Sequence, residues 1–261
     1  MSDKKVAIIT GTSSGVGLAT STKFLASGWH VFGVDINPAP ESLASNKSTF
    51  SFLQIDVSKS KAAKEIFAAA QTAFGSTRIN ALLNVAGIMD RHAGVDNMRD
   101  EDWDRVMAIN LTGPAKLMRE AVNVMKANGG GSIVNVCSKA STSGAVSGAA
   151  YCASKHGLLG ITKNTAWMFK DEGIRCNAIT PGGIQTNIVQ SSPPETWDMV
   201  GYSKLAPVTG LNLRVNNGVV EHWPKASEPA VIAEVLLFLA SDASVGINGA
   251  VVPVDHAWST I

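Results

Sequence analysis

Residues 6–17 read Val6-Ala7-Ile8-Ile9-Thr10-Gly11-Thr12-Ser13-Ser14-Gly15-Val16-Gly17, a short apolar run followed by a glycine-rich turn. The apolar run predicts a buried strand, and the residues from Val16 onward predict a helix. Glycines at such a junction let the backbone turn tightly and bring its amides close to a phosphate, which the helix dipole also attracts. Ordinary strand-to-helix corners carry similar glycines, so the turn needs support from the rest of the chain.

The remaining chain repeats this alternation of β-branched runs and longer helical stretches, which is typical of a parallel sheet buried on both faces. Predicted strands lie at Val6–Thr10, Trp29–Asp35, Phe50–Ile55, Ile79–Asn84, Ser132–Cys137, Ile174–Ile179 and Ala250–Val254. Predicted helices lie at Val16–Ser27, Lys59–Phe74, Glu101–Ala127, Tyr151–Lys170 and Glu228–Ser241. We therefore predict an α/β fold, a doubly wound, Rossmann-type parallel sheet of about seven strands. It forms a single domain over residues 1–261.

One long segment, residues 183–225, interrupts the alternation. It contains several prolines and glycines with scattered large apolar residues, namely Ile188, Val189, Trp197, Met199, Tyr202, Leu205, Leu211 and Trp223. A connection of this length inside a compact domain is usually a binding loop rather than a passive linker. We predict that it is a substrate-binding lid.

Charge and cysteine usage exclude several classes of protein. The 22 Lys and Arg residues nearly balance the 21 Asp and Glu residues, and no basic block indicates a nucleic-acid partner. The three cysteines have no C-x-x-C spacing, and the histidines have no metal-ligand spacing. We therefore expect no disulfide framework, no metal site and a reducing compartment.

The apolar segments are too short to be membrane or export signals. The run Val6–Ile9 is shorter than the apolar core of a signal peptide. The segment Ala230–Ala240 contains Glu234 and cannot cross a hydrocarbon layer of about 30 Å. We predict a soluble, cytoplasmic protein without a membrane partner.

Tyr151 and Lys155 stand four residues apart, thirteen residues after Ser138. On a helix, residues at i and i+4 share one face, with Cβ atoms about 5 to 6 Å apart. A neighbouring ammonium stabilises a phenolate, so we expect the pKa of Tyr151 to fall below its ordinary value of about 10. Such a pair can exchange a proton with an alcohol or ketone, and it needs a hydride carrier beside it.

Asp35 ends the second predicted strand, eighteen residues after Gly17. A carboxylate there accepts hydrogen bonds from the adenosine ribose hydroxyls and repels a 2′-phosphate. Ser14 and Ile36 occupy positions where Arg or Lys could bind that phosphate, and neither is basic. The pattern favours NAD over NADP, and the alternative is that Asp35 is simply a solvated residue at a strand end.

Further motifs follow in order along the chain: Asp56-Val57, Asn84-Val85-Ala86-Gly87, Asn110, Ser138, Tyr151, Lys155, Pro181-Gly182 and Thr186. Each is weak alone, but the ordered set at these spacings is specific. With the glycine turn, this set resembles the classical short-chain dehydrogenase/reductase family over essentially the whole length.

The resemblance implies a catalytic role for four residues. Tyr151 is expected to be the general acid in reduction and the general base in oxidation, with Ser138 donating to the substrate oxygen. Lys155 is expected to lower the pKa of Tyr151 and to hold the nicotinamide ribose. Asn110 is expected to anchor a chain of water molecules through which Lys155 exchanges protons with solvent.

The resemblance also implies where NAD binds. The pyrophosphate lies at the glycine turn, the adenosine ribose at Asp35, the adenine at Asp56 and Val57, and the nicotinamide carboxamide after the sixth strand. The expected cofactor-binding residues are Gly11, Ser14, Gly15, Val16, Gly17, Asp35, Asp56, Val57, Asn84, Ala86, Gly87, Tyr151, Lys155, Pro181, Gly182, Ile184 and Thr186. Three departures stand out. Val85 replaces a second asparagine, Cys137-Ser138 replaces a serine pair, and Asp255-His256-Ala257 replaces the usual Asp-Gly-Gly.

The substrate is less constrained. The segment from Lys139 to Ala150 consists almost entirely of small residues, which in this family wall the substrate pocket. With Trp197, Met199 and Leu205 in the lid, this suggests a secondary alcohol or ketone with a sizeable apolar part. Equally, the small residues could merely suit a tight loop, and the lid residues could pack on the core.

Three functions remain open on the sequence alone. The leading one is an NAD-dependent alcohol dehydrogenase or ketone reductase. The second is a 3-oxoacyl-thioester reductase of the acyl-carrier-protein type, and the third is a non-catalytic dinucleotide sensor. The intact catalytic set argues against the sensor. The resemblance further implies a homotetramer joined through the helices Glu101–Ala127 and Tyr151–Lys170.

Overall fold

The computed structural model describes residues 4–216, 219–222 and 227–260. Seven parallel strands form one sheet in the order β3-β2-β1-β4-β5-β6-β9. They are β1 (Val6–Thr10), β2 (His30–Asp35), β3 (Phe50–Gln54), β4 (Ala81–Asn84), β5 (Gly131–Val136), β6 (Ile174–Pro181) and β9 (Val251–Val254). The chain leaves β1 toward one edge of the sheet and returns to β4 on its other side, which is the doubly wound Rossmann arrangement. The predicted fold class is confirmed.

The helices cover both faces of this sheet. They are α1 (Gly15–Ala26), α2 (Ala62–Phe74), α3 (Asp100–Met107), α4 (Gly113–Ala127), α5 (Ala149–Met168), α6 (Met199–Thr209) and α7 (Pro229–Ala240). The first and last residues of each predicted strand lie within two positions of those of an observed strand. The agreement is close because β-branched runs bounded by glycine and polar residues are typical of strands.

The side chains of strand β1 belong to two parts of the hydrophobic core, one on each face of the sheet. Val6 and Ile8 pack with α2 and α4 residues such as Ile66 and Leu117, whereas Ala7 and Ile9 pack on the opposite face. All four β1 residues are buried, because successive side chains of a strand point to opposite faces and helices cover both. The centre of the sheet is therefore filled by packing on both faces, and its strand ends are free to carry a site.

The single helix predicted over Glu101–Ala127 is three consecutive pieces in the structure. Between α3 and α4 the backbone forms a π-helical turn over Ala108–Thr112. Pro114, which has no backbone N–H to donate, lies in the first turn of α4 and accounts for the break in the regular hydrogen bonding. Asn110 lies inside this turn and is fully buried, and turns of this kind frequently mark functional positions.

Segment 183–225 contains regular structure that the sequence pattern did not predict. Helix α6 lies there despite Pro207 in its interior, and β7 (Leu213–Asn216) pairs with β8 (Val219–His222) as an antiparallel hairpin. Trp223, which the sequence placed among the lid residues, and Lys225, the lid's predicted end, lie outside the described residues. Across the described ranges, no helix combines the length and apolar character that crossing a bilayer requires.

Candidate active site

A cavity of about 990 Å³ opens at the carboxyl ends of the parallel strands. Its wall is built from the segments that follow β1, β2, β3, β4, β5 and β6. In doubly wound sheets this edge is where ligands bind, because the chain diverges to the two sides of β1 and leaves a crevice. Every predicted site residue except Asn84 and Asn110 lies on this wall.

The glycine turn between β1 and α1 is closely packed. Gly17 lies against the Gly11 carbonyl, and a Cβ added to Gly17 would be 2.0 Å from that oxygen. Gly11 has a φ of 77°, and its own added Cβ would be 3.1 Å from the Ala86 backbone. Both positions therefore require glycine. No side chain caps α1 at Ser14, so amides of its first turn are available at the cavity wall for an anion.

The loop after β4 is attached to the same turn. The Thr10 hydroxyl accepts hydrogen bonds from the backbone N–H groups of Val85 and Ala86, both at 3.0 Å. These bonds fix the cavity floor between β1 and β4, where Ala86 and Gly87 line the wall.

Asp35 lies at the end of β2, on the cavity wall. One carboxylate oxygen accepts the Ser13 N–H at 2.9 Å, and the other accepts the Asn37 N–H at 2.9 Å. These bonds orient the carboxylate and tie it to the glycine turn. Among the described residues that line the cavity, the basic ones are Lys139 and Lys155, which belong to the Ser138 and Tyr151 end.

Asp56 and Val57 line the wall after β3. Burial acts to raise the pKa of Asp56, but hydrogen bonds from Ser58 and the charge of Lys59 outweigh it and lower the pKa. The carboxylate accepts the Ser58 N–H at 2.9 Å. Asp56 is therefore an ionised, oriented acceptor.

Three groups with acid–base or hydrogen-bonding chemistry meet at the far end of the cavity. Tyr151 and Lys155 come from one face of α5, with the Lys155 ammonium 5.7 Å from the centre of the Tyr151 ring. Lys155 is buried, and its ammonium donates to the Val136 carbonyl at 2.9 Å. Ser138 follows β5, and its hydroxyl is a hydrogen-bond partner of the Tyr151 phenol.

The expectation of a lowered Tyr151 pKa is wrong for the protein by itself. Burial raises the pKa of Tyr151 to about 12, while the hydrogen bond from Ser138 lowers it and the charge of Asp90 raises it. Burial also lowers the pKa of Lys155. Loss of the Tyr151 proton leaves a negative charge that the protein interior solvates poorly. The free-energy cost of burying this charge exceeds the stabilisation that neighbouring hydrogen-bond donors provide. At neutral pH the Tyr151 phenol therefore carries its proton.

Asn84 and Asn110 are buried behind the cavity wall. Asn84 donates from its side-chain amide to Asn135 Oδ1 at 2.8 Å and so bridges β4 and β5. Asn110 accepts the Ile88 N–H and donates to the Ile88 carbonyl, both at 2.9 Å. The structure does not bring the Asn84 side chain to the cavity, and it places Asn110 against the cavity floor from behind.

Of the large apolar residues expected in the lid, Ile188 is the one that lines the cavity in the described part of the chain. Trp197, Met199 and Leu205 do not line the cavity in the described part of the chain, and Met199 is 61% exposed. The contacts come instead from the 3₁₀ turn Asn187–Ser191, which directly follows Thr186. Helical periodicity could not have identified this turn, because it is too short to have a repeating pattern.

The carboxyl-terminal departure from the family pattern shapes the cavity mouth. His256 and Ala257 have φ values of 51° and 69°, in the left-handed region that glycine adopts freely. The turn they form places Trp258 on the cavity wall beside Gly182, where an added Cβ would lie 3.5 Å from the indole. The family's usual glycines suit this left-handed backbone conformation, and this chain adopts the same conformation with His256 and Ala257.

No group of three His, Cys, Asp or Glu side chains suited to a metal ion occurs in ranges 4–216, 219–222 and 227–260. All three cysteines are buried and unpaired. The cavity wall carries hydrogen-bonding and acid–base groups, among them Asp35, Ser138, Tyr151 and Lys155.

Comparison with known proteins gives a consistent result. Residues 5–197 match the family model described as short chain dehydrogenase. The chain is 50% identical over 257 residues to "Short chain dehydrogenase ausX" of Aspergillus calidoustus, covering 98% of both proteins. It is 49% identical over 259 residues to "Short chain dehydrogenase ple7" of Rhodocybe pseudopiperita, covering 98% of this chain and 99% of that protein.

A solved structure agrees in shape. The crystal structure of levodione reductase superimposes with a TM-score of 0.81 at 29% identity and covers 98% of both chains. Members of the matched family use nicotinamide dinucleotide cofactors and act on small-molecule substrates. The chain belongs to the classical short-chain dehydrogenase/reductase family of oxidoreductases.

Proposed function

We propose that this protein is an NAD(H)-dependent oxidoreductase that interconverts a secondary alcohol and a ketone, with Tyr151 as general acid and base. The observation that carries the proposal is the convergence of Ser138, Tyr151 and Lys155 on one end of a cavity whose other end is Asp35. A proton-transfer group and a dinucleotide crevice in one cavity are the two halves that hydride transfer to a carbonyl requires.

The residues present fit a nicotinamide dinucleotide. The closely packed turn at Gly11 and Gly17 leaves backbone, rather than side chains, facing the crevice, and amides of the first turn of α1 suit a pyrophosphate. Asp56 and Val57 suit the adenine end, and Ala86 and Gly87 form the floor. Pro181, Gly182, Ile184 and Thr186 suit the carboxamide end. When bound, the cofactor supplies or accepts the hydride.

The preference for NAD rests on Asp35. Its carboxylate is held in place by two backbone N–H groups and retains lone pairs for the ribose hydroxyls. A 2′-phosphate at this position would meet a like charge, and the neighbouring Ser14 and Ile36 offer no cation to offset it.

The chemistry assigned to the side chains follows from their protonation. Tyr151 is neutral at physiological pH, which lies far below its pKa of about 12, so it donates its proton to the carbonyl oxygen during reduction. Ser138 donates to the same oxygen as negative charge develops there. Lys155 stabilises the phenolate that remains and holds the nicotinamide ribose, and Asn110 keeps the π-helical turn beside them in place.

The proposed substrate has an apolar part beside its hydroxyl or keto group. Met89, Val146 and Ile188 line the same cavity as Tyr151 and give this part an apolar surface. The similarity to levodione reductase supports a ketone as the reducible group.

We further propose a single-domain, cytoplasmic homotetramer. On α5, Trp167 and Met168 are 69% and 58% exposed, which supports an interface through α4 and α5. Three unpaired, buried cysteines suit a reducing compartment. Sedimentation giving a stable monomer would contradict the tetramer.

The test is turnover of NAD with a panel of secondary alcohols, and of NADH with the matching ketones. Tyr151→Phe should abolish turnover and keep cofactor binding, measured by fluorescence titration. Tyr202→Phe is the matched control, because Tyr202 is the other of the chain's 2 tyrosines and does not line the cavity in the described structure. Full activity in Tyr151→Phe, or turnover with NADP alone, would overturn the proposal.

A further inference from the structure

Asp90 is a buried carboxylate in the loop after β4, with 3% of its surface exposed. It lies outside the catalytic set, and it does not line the cavity in the described structure. Four donors converge on it. One oxygen accepts the Tyr151 N–H at 2.8 Å, and the other accepts the N–H groups of Gly148 and His92 at 3.2 and 3.0 Å and the Ser147 hydroxyl at 3.3 Å.

These contacts cap the catalytic helix from elsewhere in the chain. The residue at the N-cap position of α5 is Gly148, which has no side chain to accept the free N–H groups of the first turn. Asp90 takes two of them, and the Ala93 carbonyl accepts a third, from Ala149, at 2.9 Å. The amino end of α5 is thus held by the loop after β4.

The contact between Asp90 and the end of α5 requires glycine at position 148. A Cβ on Gly148 would lie 2.5 and 2.7 Å from the two Asp90 carboxylate oxygens, which is closer than real Cβ atoms approach. Glycine therefore lets a carboxylate from a distant loop reach the helix end. The pair Asp90 and Gly148 forms one capping unit divided between two segments.

The same loop is bonded to the segment that covers the cavity. The Met89 N–H donates to the Ser191 hydroxyl at 3.0 Å, and the Arg91 carbonyl accepts the Asp198 N–H at 2.8 Å. The His92 ring packs against Trp197 with their centres 4.6 Å apart. Residues 88–93 therefore contact the amino end of α5 on one side and segment 189–202 on the other.

We propose that Asp90 is a positioning residue for Tyr151: its carboxylate caps α5 through Gly148 and the Tyr151 N–H, and so sets the phenol against Ser138 and joins its placement to the cavity-covering segment. The proposal rests on the proposed function, since it assumes that Tyr151 transfers the proton. The role is distinct from that of an ordinary helix cap, because the capped residue carries the reacting group.

Asp90 also affects Tyr151 electrostatically. Its charge raises the pKa of Tyr151, in the same direction as burial and as the thiols of Cys137 and Cys152. Lys155 is the cation beside the ring, and Ser138 is the hydroxyl whose hydrogen bond lowers the pKa. Removing the Asp90 charge should therefore lower the pKa of Tyr151. If Asp90 acted on the helix only as a structural cap, its replacement would leave this pKa unchanged.

The test compares Asp90→Asn and Gly148→Ala with Gly160→Ala, a control on the same helix where an added Cβ meets nothing within 4 Å. Both test variants should bind NAD as the parent protein does and lose kcat on the order of 10-fold to 100-fold, since small misplacements of a reacting group have effects of this size. In Asp90→Asn the pH midpoint of alcohol oxidation should move to lower pH. An unchanged kcat and midpoint, or a loss of kcat matched by equal loss of cofactor binding, would overturn the proposal.

A second measurement separates this proposal from the proposed function. In a Tyr202→Phe background Tyr151 is the only phenol, so its ionisation is read from phenolate absorbance without turnover. Asp90→Asn should increase the phenolate fraction at a fixed alkaline pH. If the parent protein turns over no alcohol but this increase is observed, the proposed function fails and the Asp90 contact stands. An unchanged fraction contradicts the Asp90 proposal whatever the activity.

Discussion

The ionisation of Tyr151 provides the sharpest quantitative prediction. Burial raises the pKa of Tyr151 from the ordinary value of 10.0 to about 12. The residue is partly accessible from the cavity, but protein surrounds its phenol, and this burial is the main cause of the shift. A shift of about two units corresponds to roughly 3 kcal/mol against the phenolate.

The chain offers a direct assay, because it contains only 2 tyrosines. Tyr202→Phe keeps the ring that packs against Trp197 and leaves Tyr151 as the single phenol. At pH 10 an unshifted tyrosine is half ionised, whereas a pKa of about 12 leaves about 1% phenolate. The phenolate absorbance at that pH, with the double variant Tyr151→Phe and Tyr202→Phe as the blank, distinguishes these values without further calibration.

The phenolate absorbance should be measured near pH 10 because ionisation of Tyr151 destabilises the folded protein at higher pH. The folded pKa of Tyr151 lies above the unfolded value, so stability is unaffected by this group below pH 10 and falls as the pH rises from 10 toward about 12. Circular dichroism at each pH verifies that the protein is folded. Ser138→Ala should decrease the phenolate fraction, because the hydrogen bond that lowers the pKa is lost. Half ionisation of Tyr151 at pH 10 in the folded protein would refute the reasoning.

Three further predictions concern the crevice and its mouth. Gly17→Ala should abolish NAD binding and lower the free energy of unfolding by about 1 to 3 kcal/mol, because the new Cβ would meet the Gly11 carbonyl. In titration and denaturant unfolding, Gly160→Ala should leave NAD binding unchanged and raise the free energy of unfolding by up to about 1 kcal/mol, because its Cβ enters open space inside a helix. Asp35→Asn should reduce the preference for NAD over NADP at least about tenfold in kcat/KM, since the charge that repels a 2′-phosphate is removed, and an unchanged ratio would contradict this. Ala257→Gly should raise the free energy of unfolding by up to about 1 kcal/mol, because the φ of 69° suits glycine better, and a decrease would show that the alanine side chain stabilises the turn.

Local chemistry explains why much of the fold was predictable. The glycine turn, the strands and the Tyr151–Lys155 spacing depend on residues close in sequence, and all three are found where the pattern predicts. Helix α6 was missed because Pro207 in its interior argues against a helix, yet packing of the segment against residues 88–93 stabilises it. The direction of the Tyr151 pKa shift was wrong because the sequence reveals the neighbouring ammonium but not the depth of burial.

Long-range contacts explain the remaining differences. Asn84 has the sequence context of a cofactor-binding residue, but Asn135, fifty-one positions later, takes its side chain as a bridge between strands. Asp90 has no motif that indicates a role, because Gly148, the N-cap residue of the helix it caps, lies 58 residues further on. Sequence spacing identifies groups that act together on one element, and it does not identify a group that acts on an element from across the fold.

The loop after β4 therefore has a larger role in the site than its sequence suggests. Its first residues are held by the Thr10 hydroxyl and form the cavity floor, and its middle is held by Asn110. Its end caps α5 through Asp90. Because one short segment joins the end of β1, the π-helical turn and α5, the hydride and proton halves of the proposed site share a single support. A displacement of this loop would change both halves together, whereas a displacement of the turn after Ser138 would affect the proton half alone.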